Sequence, residues 1–373
     1  MLTDPVLTGI PFVDDHGALR PGQLLEVCGV GGSGKTEILM RAAVNCVMPR
    51  ERRGVRFGGC ESSVLLLDLD GKFDTLRFLK ILTARVKDAI ARAAAEKDPA
   101  RAPDPAADAA LADDVYAESA RRFQTLRCHS SLDFLKALHV VERAFERREA
   151  KNAAAEMAEE KEKEKGNAAG GRGGPGTGPG TGPGTGTSGT SGTSGGTSGT
   201  SGTSPKARDA QPPQPPRRLL LVDNVAAFYW LDRASRREQG APLSLHAVHH
   251  ASAAKLQELS RRCRAPIVVT KATGGAGGAS DAAAAATAAS AGPLGPAAGH
   301  RDFLPRRWTS AVTQRLVLDV ERVAPDGAPR ARREGFEGAG GYAARFVARW
   351  EMPRGRPGMR YEVHGDDGIR CEG

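Results

Sequence analysis

The stretch LLEVCGVGGSGKT, residues 24–36, joins an apolar run to a glycine-rich turn that ends in lysine and threonine. Leu24–Cys28 predicts a buried strand, and Lys35–Val47 predicts a helix that stops near Pro49. The turn between them satisfies the pattern GxxxxGK[ST] in full. Its glycines let backbone N–H groups face a phosphate, and the helix start adds partial positive charge. The residues predicted to bind ATP are therefore Gly29, Val30, Gly31, Gly32, Ser33, Gly34, Lys35 and Thr36.

A magnesium site needs a further oxygen ligand close to this turn. Thr36 supplies a hydroxyl, and Asp223 ends the apolar run LLLVD at residues 219–223. Because such a pair completes the Mg²⁺ shell in proteins with this motif, we predict Thr36 and Asp223 as metal ligands. Hydrolysis also requires a group that positions water. Asp68 and Asp70 follow another apolar run and are both candidates, with a solvated strand end as the open alternative.

Apolar runs and helical patterns alternate along much of the chain. Continuous apolar runs are typical of strands buried on both faces of a parallel sheet, and they occur at residues 64–69, 219–222 and 266–270. The C-terminal third instead alternates apolar with polar residues at 312–320, followed by strand candidates at 345–350 and 360–364 and by the turn Asp367-Gly368. The sequence predicts an α/β fold: a mainly parallel sheet with helices on both faces and an antiparallel C-terminal extension.

Composition excludes several classes of protein. The 373 residues contain no run of eighteen apolar residues, which excludes a membrane-spanning helix of that length. Six cysteines without a CxxC pair are too few for a disulfide scaffold and argue against zinc. The net charge of +9 is compatible with nucleic-acid binding, and an arginine-rich residue usage explains it equally well.

Low-complexity segments divide the chain. Residues 166–216 are a repeat of Gly, Thr, Ser and Pro that cannot form a core, and residues 274–299 are almost entirely Ala, Gly and Ser. We predict a first part of the core over residues 1–150, a charged helix extension and disordered linker over 151–216, and a second part of the core over 217–373 that carries the insertion 274–299.

Several segments resemble the RecA/recombinase superfamily, and within it the recombinase paralogues. The resemblance is carried by GGSGKTEIL, LDLDGKFDTLRFLKIL, LLLVDNVAAFYWLD and LPRRWTSAVTQRLVL, at residues 31–39, 67–82, 219–232 and 304–318. It implies a RecA-like P-loop ATPase core. It also implies an ATP- and Mg²⁺-binding accessory subunit in the nucleus, in a heteromeric complex with another recombinase paralogue. Such a complex assists the recombinase filament on single-stranded DNA in homologous recombination and double-strand break repair, and contacts single-stranded or branched DNA.

The chain departs from the recombinases at positions that matter for hydrolysis. Asp70 stands where the resemblance places a catalytic glutamate, so Asp70 is the predicted catalytic residue, with a shorter reach. The segment Lys271–Thr273 lacks the glutamine that senses the γ-phosphate in recombinases. These departures predict at most weak DNA-dependent ATPase activity. Two alternatives stay open: a stand-alone DNA-stimulated ATPase, and a nucleotide-independent scaffold with a relict P-loop.

Three further groups have both a functional and a structural interpretation. Phe228 and Trp230 are either a partner-binding anchor or, as slightly favoured, packed under the next helix. Trp308, with the arginines before it, either contacts DNA or anchors a loop. The histidines spaced for a metal site are more simply explained as a polar helix face; they are His246, His249 and His250.

Overall fold

The computed structural model describes residues 5–15, 18–97, 105–169, 217–235, 244–273, 304–320, 344–365 and 368–371. The strands are β1 Leu24–Gly29, β2 Glu51–Arg52, β3 Val55–Arg56, β4 Ser63–Asp68, β5 Phe123–Arg127, β6 Arg218–Asp223, β7 Ile267–Ala272, β8 Gln314–Val320, β9 Ala344–Met352, β10 Met359–His364 and β11 Gly368–Cys371. The helices are α1 Pro11–Asp14, α2 Lys35–Val47, α3 Thr75–Lys97, α4 Pro105–Arg122, α5 Ser131–Ala169, α6 Tyr229–Ala234, α7 Leu245–Arg262 and α8 Arg306–Ala311.

Nine of these strands form one sheet, in the order β11-β10-β9-β8-β1-β7-β6-β4-β5. The strands from β8 to β5 run parallel, and β9, β10 and β11 add to them in antiparallel fashion. The predicted mainly parallel sheet with an antiparallel extension is confirmed. The carboxyl ends of β1, β4, β6 and β7 consequently lie along one edge, where ligands of open α/β sheets bind.

Strand β8 pairs differently from what its sequence pattern predicts. The alternation over residues 312–320 predicts an antiparallel strand, but β8 pairs in parallel with β1, and the antiparallel extension starts only at β9. Polar residues of β8 do not mark a solvent-facing side. Gln314 and Arg315 are both buried, and Arg315 forms an ion pair with Glu26 of β1.

Helices cover both faces of the sheet, each over its own apolar cluster. On one face α2, α3 and α4 pack against the strands, through residues that include Ile38, Leu82 and Val115. On the other face α5, α7 and α8 pack through residues that include Leu138, Leu256 and Trp308. The predicted coverage of both faces by helices is confirmed. Helix α4 was not predicted, because its apolar residues are few and lie in an alanine-rich run.

The chain divides into two compact units. The first contains Met1–Glu146 and Pro216–Gly373, and the second contains Arg147–Pro215. In the second unit the structure describes residues 147–169, which belong to α5. Residues 170–216 and 274–299 of the predicted linker and insertion lie outside the described residues, so the predicted organisation stays a prediction. No helix in the described ranges is long and apolar enough to cross a membrane.

Candidate nucleotide site

The glycine-rich turn connects the end of β1 to the start of α2. Gly32 and Gly34 adopt φ values of +73° and +79°, in the left-handed region that favours glycine. A Cβ atom on Gly34 would also lie 3.1 Å from the hydroxyl of Tyr361. Two requirements therefore select glycine at position 34: the backbone conformation and the close approach of an aromatic side chain.

Lys35 folds back over this turn. Its Nζ donates to the carbonyl oxygen of Gly29 at 3.0 Å and to that of Val30 at 2.6 Å. Burial lowers the pKa of Lys35, and the charge of Asp223 acts against that shift. The ammonium group is thus held at the turn by neutral oxygens, and a phosphate there would supply the negative charge that these carbonyls lack.

The two predicted metal ligands meet directly. Thr36 Oγ1 donates to Asp223 Oδ2 at 2.9 Å, joining the first turn of α2 to the carboxyl end of β6. The hydroxyl of Thr270, on the neighbouring strand β7, donates to the other carboxylate oxygen. Burial raises the pKa of Asp223, the two hydroxyl hydrogen bonds lower it, and the nearby charge of Asp70 raises it further. Asp223 is therefore a buried carboxylate with two neutral donors.

Asp68 and Asp70 differ in what they contact. Asp68 accepts from the backbone N–H of Gly71 at 2.7 Å and from Arg127 at 2.9 Å, so both of its oxygens are engaged. Asp70 lies 3.4 Å from Lys72 through one oxygen. Its other oxygen, Oδ1, is buried and has no hydrogen-bond partner among the described residues. Of the two aspartates, only Asp70 keeps an unused oxygen beside Asp223.

The oxygen atoms of this site suit Mg²⁺, and its lysine suits a phosphate group. A buried carboxylate next to a hydroxyl, and a second carboxylate with an unpartnered buried oxygen, form the all-oxygen donor set that Mg²⁺ prefers. The cationic turn on the other side suits a phosphate. The structure brings together Lys35, Thr36, Asp223 and Asp70; their roles toward a ligand stay predictions.

Asn224 has a role that the sequence did not suggest. Its Oδ1 accepts from the backbone N–H of Ala226 at 3.1 Å and of Ala272 at 3.0 Å. The side chain thus ties the end of β7 to the segment after β6.

Aromatic residues of the C-terminal strands pack next to the glycine-rich turn, and one of them forms a hydrogen bond with it. The Tyr361 hydroxyl donates to the Ser33 carbonyl at 3.3 Å. Its ring stacks on Phe346 with centroids 5.4 Å apart, and Phe12 lies 5.7 Å away on another side. Burial raises the pKa of Tyr361 well above its ordinary value, so the hydroxyl stays protonated. Sequence reasoning missed this support because no local pattern links residues 33 and 361.

A buried ionic group lies under the same part of the sheet. Glu26 of β1 is fully buried, with Lys271 Nζ at 2.9 Å, Arg315 Nε at 2.5 Å and Trp308 Nε1 at 2.7 Å. Trp308 is 1% exposed, which supports its interpretation as an anchor. Lys271 points to the face opposite Thr270, as alternate residues of a strand do. Lys271 consequently forms its ion pair with Glu26, and its side chain does not reach the glycine-rich turn.

The aromatic residues after β6 and the histidines of α7 differ in their exposure to solvent. Trp230 is 59% exposed, so the expectation that it packs under the next helix is wrong for this residue. Phe228 is partly buried and packs against the core, as expected. Across the described ranges no cluster of three metal-ligating side chains occurs, and the histidines of α7 are not brought into one. His249 is buried, and burial lowers its pKa to about 4.

Comparison with known proteins gives a partial relationship. The chain is 31% identical over 140 residues to the DNA repair protein XRCC2 homolog of Arabidopsis thaliana, an alignment that covers 35% of this chain and 38% of that protein. It is 33% identical over 75 residues to the DNA repair protein XRCC2 of Mus musculus, covering 20% of this chain and 25% of that protein. The chain thus spans less than two fifths of the length of these curated relatives. No family model matches it. The predicted resemblance to this recombinase paralogue is confirmed.

Proposed function

We propose that this chain, which is similar to the DNA repair proteins named XRCC2, is an ATP-binding accessory subunit of a recombinase-paralogue complex with a RecA-like P-loop core. It acts in the nucleus, in homologous recombination and the repair of DNA double-strand breaks. There it assists assembly of the recombinase filament on single-stranded DNA. The similarity to two repair proteins supports the process, and the site geometry supports the nucleotide.

The observation that carries the proposal is the contact between Thr36 and Asp223. These residues are 187 positions apart in sequence, yet their side-chain oxygens lie 2.9 Å from each other. A turn with the GxxxxGK[ST] pattern arises by chance more easily than the same turn with a buried carboxylate placed against its threonine. The two features together favour a site for Mg²⁺ and a nucleoside triphosphate.

Each residue of the site has a distinct part in binding. The backbone N–H groups of residues 29–36 and the ammonium of Lys35 hold the phosphates. Thr36 and Asp223 would hold Mg²⁺, which when bound neutralises phosphate charge. Asp70 faces the same space with one free oxygen and would orient water or a second hydrogen-bond donor.

The contacts around the site favour binding over rapid turnover. The segment Lys271–Thr273 at the end of β7 lacks the glutamine that recombinases carry there, and Lys271 is paired with Glu26. Lys271 is therefore not available to respond to the γ-phosphate. The turn is instead joined to β10 through Ser33 and Tyr361, so bound nucleotide would act on the C-terminal strands. We infer that ATP maintains the shape of an interface with another recombinase paralogue.

The test compares two lysine variants of the full-length chain. Lys35→Ala removes the lysine of the turn, and Lys136→Ala removes a lysine on α5 whose side chain is 78% exposed. We expect binding of a fluorescent ATP analogue in Mg²⁺ to be lost in the first and retained in the second. Purification of each tagged chain from nuclear extract then reports on assembly. Recovery of a recombinase paralogue with wild type and Lys136→Ala, and its loss with Lys35→Ala, would support the proposal.

Other outcomes point to the alternatives. Equal recovery of the paralogue with Lys35→Ala would favour the nucleotide-independent scaffold. The stand-alone ATPase is favoured by one observation, the free Asp70 oxygen in the site. It predicts turnover that rises with single-stranded DNA and falls in Asp70→Asn. Such turnover without any bound paralogue would contradict the accessory role.

A further inference from the structure

A second cluster of cations lies away from the nucleotide site. A cavity of about 390 Å³ is bordered by the segment before α1, by α2, by α3 and by β11. Its charged lining residues are Arg41, Arg85, Asp88 and Arg370. The rim residues Pro11, Asp88 and Arg370 are exposed, so the cavity is open to solvent. Three arginines from three separate elements thus converge on one recess.

The positive charges of Arg41 and Arg85, at the base of this recess, are not balanced by ion pairs among the described residues. Arg41 donates through Nε to the Gly9 carbonyl at 3.0 Å, which leaves its two terminal nitrogens for another partner. Among the described residues no carboxylate forms an ion pair with Arg41 or Arg85. Burial, followed by the neighbouring charge of Arg85, lowers the pKa of Arg41 to about 10. Partly buried guanidinium groups that repel each other favour an anion as ligand.

The acidic groups around the recess do not cancel this charge. Asp88 faces Arg85 from the rim of the cavity and is exposed. Asp14 lies near Arg41, but its carboxylate already accepts from Thr8 and from the Gly9 N–H, each at 2.8 Å. Neither aspartate is therefore a dedicated partner for Arg41 or Arg85.

The positive charge continues along α3 beyond the cavity. Arg92 follows Arg85 by seven residues, which is two helical turns and about 10 Å along the axis. The charge of Arg92 contributes to lowering the pKa of Arg85, so the two side chains are near each other. A single small anion would satisfy only one end of this row. A ligand that carries several phosphates in succession matches it better.

We propose that the recess formed by Arg41, Arg85 and Arg370, with Arg92 beyond it, binds the phosphodiester backbone of single-stranded DNA. Guanidinium groups bind phosphate oxygens through paired N–H donors, and contacts of this kind need no particular base. The choice of DNA rests on the proposed function in repair. The site is separate from the glycine-rich turn and is formed entirely by described residues of the first unit.

The test uses two variants of the full chain that lose the same charge. Arg85→Gln removes a guanidinium from the recess, and Arg56→Gln removes one whose side chain is 90% exposed elsewhere on the surface. Binding of a labelled oligothymidine is measured by fluorescence anisotropy over a series of salt concentrations. We expect Arg85→Gln to weaken binding roughly tenfold at low salt. The slope of log K against log salt should fall in magnitude by about 0.7, whereas Arg56→Gln should match wild type. An abasic oligonucleotide should bind like oligothymidine, since phosphates make the contacts.

Several results would overturn the site. These are no binding of oligothymidine by the wild-type chain, equal losses in the two variants, or unchanged binding in Arg85→Gln. Titration of each variant with the ATP analogue separates this outcome from failure of the proposed function. Arg85→Gln with normal ATP binding and normal DNA binding refutes the recess alone. Absence of ATP binding in the wild-type chain refutes the nucleotide site and leaves the DNA measurement interpretable.

Discussion

Glu26 is the residue whose replacement should most damage the part of the sheet that holds the glycine-rich turn. Glu26→Gln keeps the side-chain shape and an oxygen for Trp308 but removes the negative charge between Lys271 and Arg315. Both cations are buried, with side chains 0% and 6% exposed. At an effective dielectric constant of about 20, the 2.9 Å separation between Glu26 and Lys271 corresponds to roughly 6 kcal/mol of attraction.

The net cost of the substitution is smaller than the attractions that it removes, because the charges lost hydration on burial. Breaking a buried ion pair by removing one partner typically costs about 3–5 kcal/mol. We expect Glu26→Gln to lower the free energy of unfolding by about that amount, since it removes the carboxylate that pairs with both Lys271 and Arg315. Lys271→Met is the matched control. It leaves Arg315 with Glu26 and with Glu351 at 3.6 Å, and should cost far less.

Equilibrium urea unfolding followed by circular dichroism measures both variants. A loss below about 1 kcal/mol in Glu26→Gln, or an equal loss in Lys271→Met, would refute the reasoning. An acid titration gives an independent check. Burial raises the pKa of Glu26, but the charges of Lys271 and Arg315 and the Trp308 hydrogen bond outweigh it, so the pKa lies below the ordinary 4.5. This contribution to stability is present above pH 4.5 and is lost as the pH falls through the lowered pKa, and Glu26→Gln should lack that loss.

Three further predictions follow from individual contacts. Gly34→Val should weaken binding of the ATP analogue at least roughly tenfold, because φ is +79° and the Tyr361 hydroxyl leaves no room; unchanged affinity would contradict the turn geometry. Burial lowers the pKa of His249 from 6.5 to about 4, so the unfolded chain binds a proton there before the folded chain does. The free energy of unfolding should therefore fall by up to roughly 1.4 kcal/mol for each unit by which the pH is lowered from 6.5 to 4. His249→Gln should flatten that slope in urea unfolding at a series of pH values. Arg77→Gln should cost roughly 1–3 kcal/mol in the same assay, since Arg77 pairs with Glu37 at 2.6 Å and 2.9 Å; an unchanged midpoint would show the pair to be dispensable.

The sequence was sufficient for elements whose signal is local. Helix α2 has the predicted bounds Lys35–Val47, because the glycine-rich turn fixes its start and Pro49 its end. Four of the parallel strands, β1, β4, β6 and β7, coincide with apolar runs of the sequence, as burial on both faces of the sheet predicts. What the pattern could not supply was contact between distant residues. The pattern of β8 gave no sign that Arg315 pairs with Glu26, and that of β10 gave no sign that Tyr361 contacts Ser33.

In the candidate site, too, local motifs were predictable from the sequence and contacts between distant residues were not. Lys35, Thr36 and Asp223 were predicted by motif and strand ending, and the structure brings them together. The choice between Asp68 and Asp70 depended on partners outside the motif. Arg127, from the edge strand β5, engages Asp68 and leaves Asp70 with the free oxygen. A sequence pattern cannot distinguish two aspartates that differ only in which neighbouring strand supplies a cation.

The alternation of β7 decides how nucleotide could be sensed in this chain. Thr270 faces the site and binds Asp223, while Lys271 faces the opposite cluster and binds Glu26. A lysine in this segment therefore does not replace the missing glutamine, and Asn224 holds the next residue by its backbone. The turn is also joined to the antiparallel strand β10, through the hydrogen bond between Ser33 and Tyr361. Tyr361→Phe should thus leave ATP affinity within about threefold, since a neutral hydrogen bond contributes about 1 kcal/mol or less. It should also uncouple ATP from paralogue recovery in the purification experiment. Paralogue recovery from Tyr361→Phe that still depends on ATP would show that the signal takes another route.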